Sequence, residues 1–123
     1  MTAARDGGLL WWPAHGARRL LLVAERPCLR SELEEVARGC GSALVVATAR
    51  AFLHPAVQAL AELGLAVSGE VGPRDPLRAA TEALEWFPAD EVVLAFDHPA
   101  GDRAEAGLLD RLTARYPLPV HAL

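Results

Sequence analysis

The apolar positions of the chain fall into short runs separated by amphipathic segments. Runs that are apolar almost without interruption are typical of strands covered on both faces, as in a parallel sheet. Five runs are predicted to be strands, at residues 19–25, 43–48, 66–71, 91–96 and 118–123, and the first, second and fourth of them have this pattern. Four helical segments lie between them. This alternation with short loops predicts one α/β domain, a doubly wound three-layer α/β/α fold around a five-stranded parallel sheet.

The predicted helices have recognisable first residues. Ser31 and Glu34 have the spacing of a capping box, and Pro55 suits the first position of the second helix. Asp75 followed by Pro76 is typical of the start of the third helix. The fourth helix is expected from about residue 102 to 116. Residues 1–17 lie outside this pattern and are interpreted as an N-terminal arm ahead of a domain at 18–123.

The composition narrows the function classes. The 123 residues carry a formal net charge of −4, which disfavours binding to nucleic acid or to an anionic membrane surface. No apolar run approaches the roughly 20 residues that span a bilayer, and no secretory signal is recognisable, so a cytoplasmic location is expected. The chain contains 12 arginines and no lysine, so mechanisms that need a catalytic or phosphate-binding lysine are excluded.

The two cysteines, Cys28 and Cys40, flank one predicted helix. A helix of that length would separate them by roughly 18 Å, whereas a disulfide needs Cα atoms within about 7 Å. Both are therefore expected to be free thiols. Arg26 and Arg30 could lower the pKa of the Cys28 thiol and make it reactive, whereas Cys40 ends an apolar stripe and is expected to belong to the core.

Three segments of the C-terminal half carry a recognisable set of residues. They are GLAVSGEVGPRDPLRAATEAL, FPADEVVLAF and the stretch that ends in LPVHAL. The matching positions are Gly69, Val71, Gly72, Asp75, Pro76, Leu77, Ala79, Phe87, Ala89, Asp90, Glu91, Val93, His98, Pro99, Leu118, Pro119, Val120 and His121. In these positions the sequence resembles a branch of the universal stress protein family, which shares the fold of the adenine-nucleotide α-hydrolases.

The resemblance implies strand order 3-2-1-4-5 and a regulatory role in the stress response. It also implies a homodimer that pairs through the last strand, and in some members an adenine nucleotide, AMP or ATP. That ligand would lie outside the carboxyl ends of strands one and four, where the strand order reverses. The ligand-binding residues implied for this chain are Glu25, Arg26, Val46, Gly72, Asp97, His98, Gly101 and Arg103.

The phosphate-binding part of this implied site departs from the family pattern. Members that bind ATP carry an aspartate where this chain has Glu25, and a glycine-rich motif where it keeps only Gly101 and one further glycine at a different spacing. Asp97 and Asp102 place carboxylates where phosphate oxygens would lie, and Arg103 could offset one of them. The usual ATP mode is therefore disfavoured, and AMP, a nucleoside or another small ligand is preferred.

Several of these residues have more than one interpretation. Gly72 either allows a ligand to approach the backbone or occupies a turn with a positive φ, and the turn is favoured. Asp97, His98 and Asp102 either cap the fourth helix and contact solvent, or supply a general base, or bind a metal. Capping is favoured, so no metal site is predicted, and Asp97 and His98 are catalytic candidates only if the protein is a hydrolase.

Three functional hypotheses follow. The first is a stress-protein-like, ligand-sensing regulatory domain that forms a homodimer. The second is a protein–protein interaction or dimerisation module without a ligand, to which Trp11 and Trp12 could contribute, since tryptophan is favoured at interfaces. The third is a small hydrolase that uses Asp97 and His98. The sequence does not identify a ligand.

Overall fold

The computed structural model describes residues 18–97 and 103–123, and of residues 103–106 the backbone only. Strands and helices alternate along this part of the chain. The strands are β1 (Arg18–Ala24), β2 (Cys40–Ala47), β3 (Ala66–Val71), β4 (Glu91–Ala95) and β5 (Val120–Ala122). The helices are α1 (Arg30–Ala37), α2 (Arg50–Glu62), α3 (Pro76–Leu84) and α4 (Arg103–Arg115).

The five strands form one parallel sheet in the order β3-β2-β1-β4-β5. The predicted fold class and strand order are therefore confirmed. β1 lies at the centre between β2 and β4, and its five residues from Leu20 to Ala24 are completely or almost completely buried. β3 and β5 are the edges of the sheet. No helix in the described ranges is long and apolar enough to cross a membrane.

Each face of the sheet is covered by one pair of helices. Successive strand residues point to opposite faces, so Leu20 and Leu22 of β1 belong to the core beneath α1 and α2. Leu21 and Val23 belong to the core beneath α3 and α4. This is the reason that β1 is apolar at every position from Leu20 to Ala24, and the two cores give the three layers that the sequence predicts.

The first helix begins before the predicted capping box. α1 starts at Arg30, and its N-cap is Leu29, which has no side-chain acceptor. Glu32 supplies half of a capping box by accepting the backbone N–H of Leu29 at 2.9 Å. The predicted pairing of Ser31 with Glu34 is wrong, because the N-cap is Leu29, two residues before Ser31.

The second helix also begins earlier than predicted. Pro55 lies inside α2 instead of at its first position. A proline in a helix removes one N–H donor, and the preceding turn from Arg50 still forms because Phe52 N–H donates to Ala49 O at 3.1 Å. At α3 the prediction is confirmed: Asp75 is the N-cap, its carboxylate accepts Leu77 N–H at 3.1 Å, and Pro76 is the first residue.

Candidate functional site

The strand order reverses between β1 and β4, and their carboxyl ends form what we call the switch-point edge. Both strands run in the same direction and pair directly, from Leu20 with Glu91 to Ala24 with Ala95. The residues that follow them there are Glu25 and Arg26 after β1, and Phe96 and Asp97 after β4. In doubly wound sheets this is the position at which ligands bind.

Backbone hydrogen bonds hold this edge in register beyond the strands themselves. Glu25 N–H donates to Ala95 O at 2.9 Å, and Thr48 N–H donates to Ala24 O at 3.0 Å. Glu25 is thereby fixed to the end of β4 and Thr48 to the end of β1, and both residues are half-buried. The first residues of the loops are therefore placed by the sheet.

Arg26 joins the ends of the two central strands. Its Nε donates to the carbonyl of Phe96 at 2.9 Å, across the gap between β1 and β4. Its Nη1 and Nη2 donate to the two carboxylate oxygens of Glu32 at 2.9 and 3.0 Å, and Nη1 also donates to Pro27 O at 3.0 Å. Four of the five N–H donors of the guanidinium are thus used within the protein.

The pair of Arg26 and Glu32 is ionised and largely shielded from solvent. The side chains are 22% and 24% exposed. The hydrogen bonds from Arg26 and from the backbone of Leu29 lower the pKa of the Glu32 carboxyl, and Glu32 in turn raises the pKa of Arg26. Because the geometry is bidentate, the positive charge of Arg26 is balanced by one fixed partner.

Sequence reasoning predicted Arg26 at this edge but missed Glu32. The signal was present in the sequence. Glu32 lies in the first turn of α1, where the helix dipole favours an acidic residue, and it follows Leu29 by three residues. The assignment of the capping role to Glu34 concealed it. In the structure Glu34 is exposed and its carboxylate lies 3.5 Å from Nε of Arg30.

Val46 and Gly72 lie together, but in the core beside the edge. Val46 is 1% exposed and belongs to the core beneath α3. Gly72 follows β3 and donates its N–H to Ala47 O at 2.9 Å. A Cβ at position 72 would lie 2.5 Å from Cγ1 of Val46. The expected positive φ at Gly72 is wrong, because only Gly39 and Gly64 have one among the described glycines; close packing on Val46 is the physical reason for glycine here.

The remaining implied site residues are only partly described. Asp97 is exposed and directly follows β4 and Phe96. Arg103 is the first residue of α4, with its backbone placed. His98, Gly101 and Asp102 lie outside the described residues, as do Trp11 and Trp12. Within the described ranges, no three His, Cys, Asp or Glu side chains are close enough together to hold a metal ion.

Cys28 is a free thiol near Arg26, but its pKa is not lowered. Burial raises the pKa, the charge of Arg26 lowers it by less, and Glu32 raises it again. The alternative in which Arg26 and Arg30 lower the pKa of this thiol is therefore disfavoured. Arg30 instead pairs with Glu62 at 2.6 Å. Cys40 is also free and half-buried, and burial likewise raises its pKa.

A second polar cluster lies at the opposite end of the sheet, at the amino ends of β1 and β4. Glu91 accepts Arg18 Nη2 at 2.8 Å, and His121 Nε2 lies 3.1 Å from the other carboxylate oxygen. A cavity of about 410 Å³ opens next to this cluster, between the end of α1 and β5, with Val36 and Leu123 among its lining residues. This cavity could not be predicted from the sequence, because its lining residues are far apart along the chain.

Comparisons with protein-family models, with curated proteins and with solved structures found no match to this chain.

Proposed function

We propose that this protein is a universal-stress-protein-like regulatory domain that senses a small ligand at the switch-point edge. The observation that carries the proposal is the direct parallel pairing of β1 with β4, which brings Arg26 and Phe96 within one hydrogen bond of each other. Ligand sites of doubly wound sheets form where two neighbouring strands send their connections in opposite directions. The residues of the C-terminal half that resemble the family support the same position.

The chemistry of this edge suits recognition better than catalysis. The polar groups described there are Glu25, Arg26 and Asp97, which can accept or donate hydrogen bonds to a ribose or a base. Neither described cysteine has the lowered pKa that an activated thiol nucleophile requires. The candidate ligands are an adenine nucleotide or a related small molecule.

Thermal unfolding in the presence of adenosine, AMP and ATP tests this proposal. A ligand that binds only the folded protein at one hundred times its Kd stabilises it by about 2.7 kcal/mol, which raises Tm by several degrees. Asp97→Asn should change the affinity for a ligand at the switch-point edge. Asp110→Asn is the matched control, because Asp110 is equally exposed but lies on α4.

Two results would contradict the proposal. One is an unchanged Tm with every member of the panel at millimolar concentration. The other is a Tm increase that Asp97→Asn and Asp110→Asn alter equally, since it would place the ligand away from the carboxyl ends of β1 and β4. Titration calorimetry on the same variants provides the affinities.

A second proposal is that two copies of the chain pair along β5. Pro119 O accepts Val92 N–H and Leu123 N–H donates to Leu94 O, so alternate residues of this strand face β4. The N–H and C=O groups of Val120 and Ala122 therefore face away from the sheet. A two-fold axis would pair them with a second β5 in antiparallel orientation. The resemblance to the universal stress protein family favours β5 over β3, because it implies pairing through the last strand.

Proline substitution tests the pairing along β5. Ala122→Pro removes an outward N–H and leaves the hydrogen bonds to β4 in place, so it should convert a dimer into a folded monomer. Val71→Pro is the control on β3, where Gly72 faces β2 and Val71 therefore faces outward. Light scattering that finds the unmodified chain monomeric at high concentration, or a dimer that survives Ala122→Pro, would exclude this interface.

A further inference from the structure

Arg26 directly follows the first residue after β1 at the switch-point edge, and its positive charge is already paired with Glu32. Its guanidinium lies between the carbonyl of Phe96 and the carboxylate of Glu32, at 2.9 to 3.0 Å from each acceptor. One N–H donor of the five remains. A phosphate group could obtain a bidentate contact with Arg26 only by displacing Glu32 or the carbonyl of Phe96.

Displacing Glu32 would disturb more than one contact. The same carboxylate accepts the backbone N–H of Leu29 and so helps to begin α1. The Glu32 side chain is only 24% exposed. If its carboxylate were displaced from Arg26, water could replace the lost hydrogen bonds only in part, and the displacement would cost free energy. Asp97 is a further negative group at the end of β4. An incoming anion therefore meets an arginine whose charge is balanced by Glu32, and the exposed carboxylate of Asp97.

We propose that the pairing of Arg26 with Glu32 makes the switch-point edge selective for an uncharged ligand, such as a nucleoside, over a phosphorylated one. Arg26 acts as a positioning residue that fixes the ends of β1 and β4, and Glu32 is the specificity determinant. This inference rests on the proposed function, because it assumes that a ligand binds at this edge. It adds the chemical class of that ligand.

The experiment compares adenosine, AMP and inorganic tripolyphosphate on the full chain and on Glu32→Gln. The substitution keeps a side-chain oxygen that can accept Leu29 N–H and removes the charge that balances Arg26. Glu34→Gln is the matched control, since it removes the same charge from an exposed position of the same helix. Titration calorimetry measures affinity, and circular dichroism establishes that each variant is folded.

Adenosine should bind the unmodified chain at least about tenfold more tightly than AMP, the factor that one charge-assisted hydrogen bond provides. Glu32→Gln should increase the affinity for AMP about tenfold or more, with adenosine unchanged, and should create measurable binding of tripolyphosphate. Glu34→Gln should do neither. These three results together support the selection by charge.

The outcomes separate the inference from the proposed function. If AMP and adenosine bind the unmodified chain equally well, the ligand site stands and the inference is overturned. The same holds if AMP gains nothing in folded Glu32→Gln, or gains as much in Glu34→Gln. If adenosine and AMP bind neither the unmodified chain nor Glu32→Gln, the proposed function fails, and the inference fails with it.

Discussion

Gly72 lies directly over the side chain of Val46. A Cβ at position 72 would be 2.5 Å from Cγ1 of Val46 and 3.7 Å from Cβ of Ala79. Val46 is 1% exposed and Ala79 is equally buried, so neither can move aside into solvent. The absence of a side chain at Gly72 therefore lets the chain leave β3 close to the core and begin the connection to α3.

We expect Gly72→Ala to destabilise the protein by about 1–3 kcal/mol, the usual cost of overpacking a filled core. The double variant with Val46→Ala tests the cause. Removing Cγ1 of Val46 should make Gly72→Ala cost less than it does in the unmodified chain, with a coupling of about 0.5 kcal/mol or more. Strictly additive changes in the free energy of urea unfolding would mean that the contact is not the reason for glycine at position 72.

Gly107 and Gly64 should respond to alanine in opposite directions. Gly107 is an exposed residue inside α4, and nothing lies within 4 Å of the position of an added Cβ. Gly107→Ala should therefore stabilise the protein by about 0.5–1 kcal/mol through helix propensity. Gly64 has equal space but a φ of 99°, so Gly64→Ala should destabilise by about 1–2 kcal/mol. Thermal unfolding measures whether each variant has a higher or a lower Tm than the unmodified chain. Two changes of Tm in the same direction would contradict this explanation.

The three inner strands β1, β2 and β4 were predictable from the sequence because their buried segments are apolar on both faces. Leu20 and Leu21 are adjacent in sequence and buried in different cores, which is possible only for a strand with helices on either side. Element starts were less predictable where local signals competed. Asp75 and Pro76 agree with each other, and α3 begins as expected, whereas Pro55 resembles a first residue and is an interior one.

The candidate site was predictable in position but not in chemistry. That Arg26 follows β1 can be read from the sequence, and the strand order places it beside Phe96. The pairing with Glu32 could not be read from the sequence, because it depends on the angle at which α1 leaves β1. The role of Gly72 also depends on packing, since a tight contact with Val46 and a positive φ leave the same signal in the sequence.

The ionised pair of Glu32 and Arg26 should make part of the stability depend on pH. The pKa of Glu32 is lower in the folded protein than in the unfolded chain, so its contribution is present at neutral pH and is lost as the pH falls through the folded-state pKa. Glu32→Gln should cost about 1–2 kcal/mol at pH 7, since both partners are mostly shielded from solvent. The difference from the unmodified chain should decrease towards pH 3.

Glu34→Gln serves as the control for this pH dependence. Its partner Arg30 is 3.5 Å away and both side chains are about half exposed. Exposed pairs of this kind contribute roughly 0–1 kcal/mol, so its effect should be small at every pH. Chemical unfolding at pH 7, 5 and 3 provides the comparison. A cost of Glu32→Gln that stays constant across this range would show that charge is not the source of its stabilising effect.

The two thiols should react slowly at neutral pH. Burial raises the pKa of Cys28 and of Cys40, and each S–H donates to a backbone carbonyl, that of Arg26 at 3.8 Å and that of Val36 at 3.6 Å. Because only the thiolate is nucleophilic, alkylation by iodoacetamide at pH 7 should be slower than that of free glutathione and should accelerate as the pH is raised. Cys28→Ser and Cys40→Ser assign the two rates by mass spectrometry. Rapid labelling of Cys28 at pH 7 would mean that the positive charge of Arg26 lowers the thiol pKa by more than burial raises it. In that case Glu32→Gln should accelerate the reaction further, because it removes the carboxylate that balances Arg26.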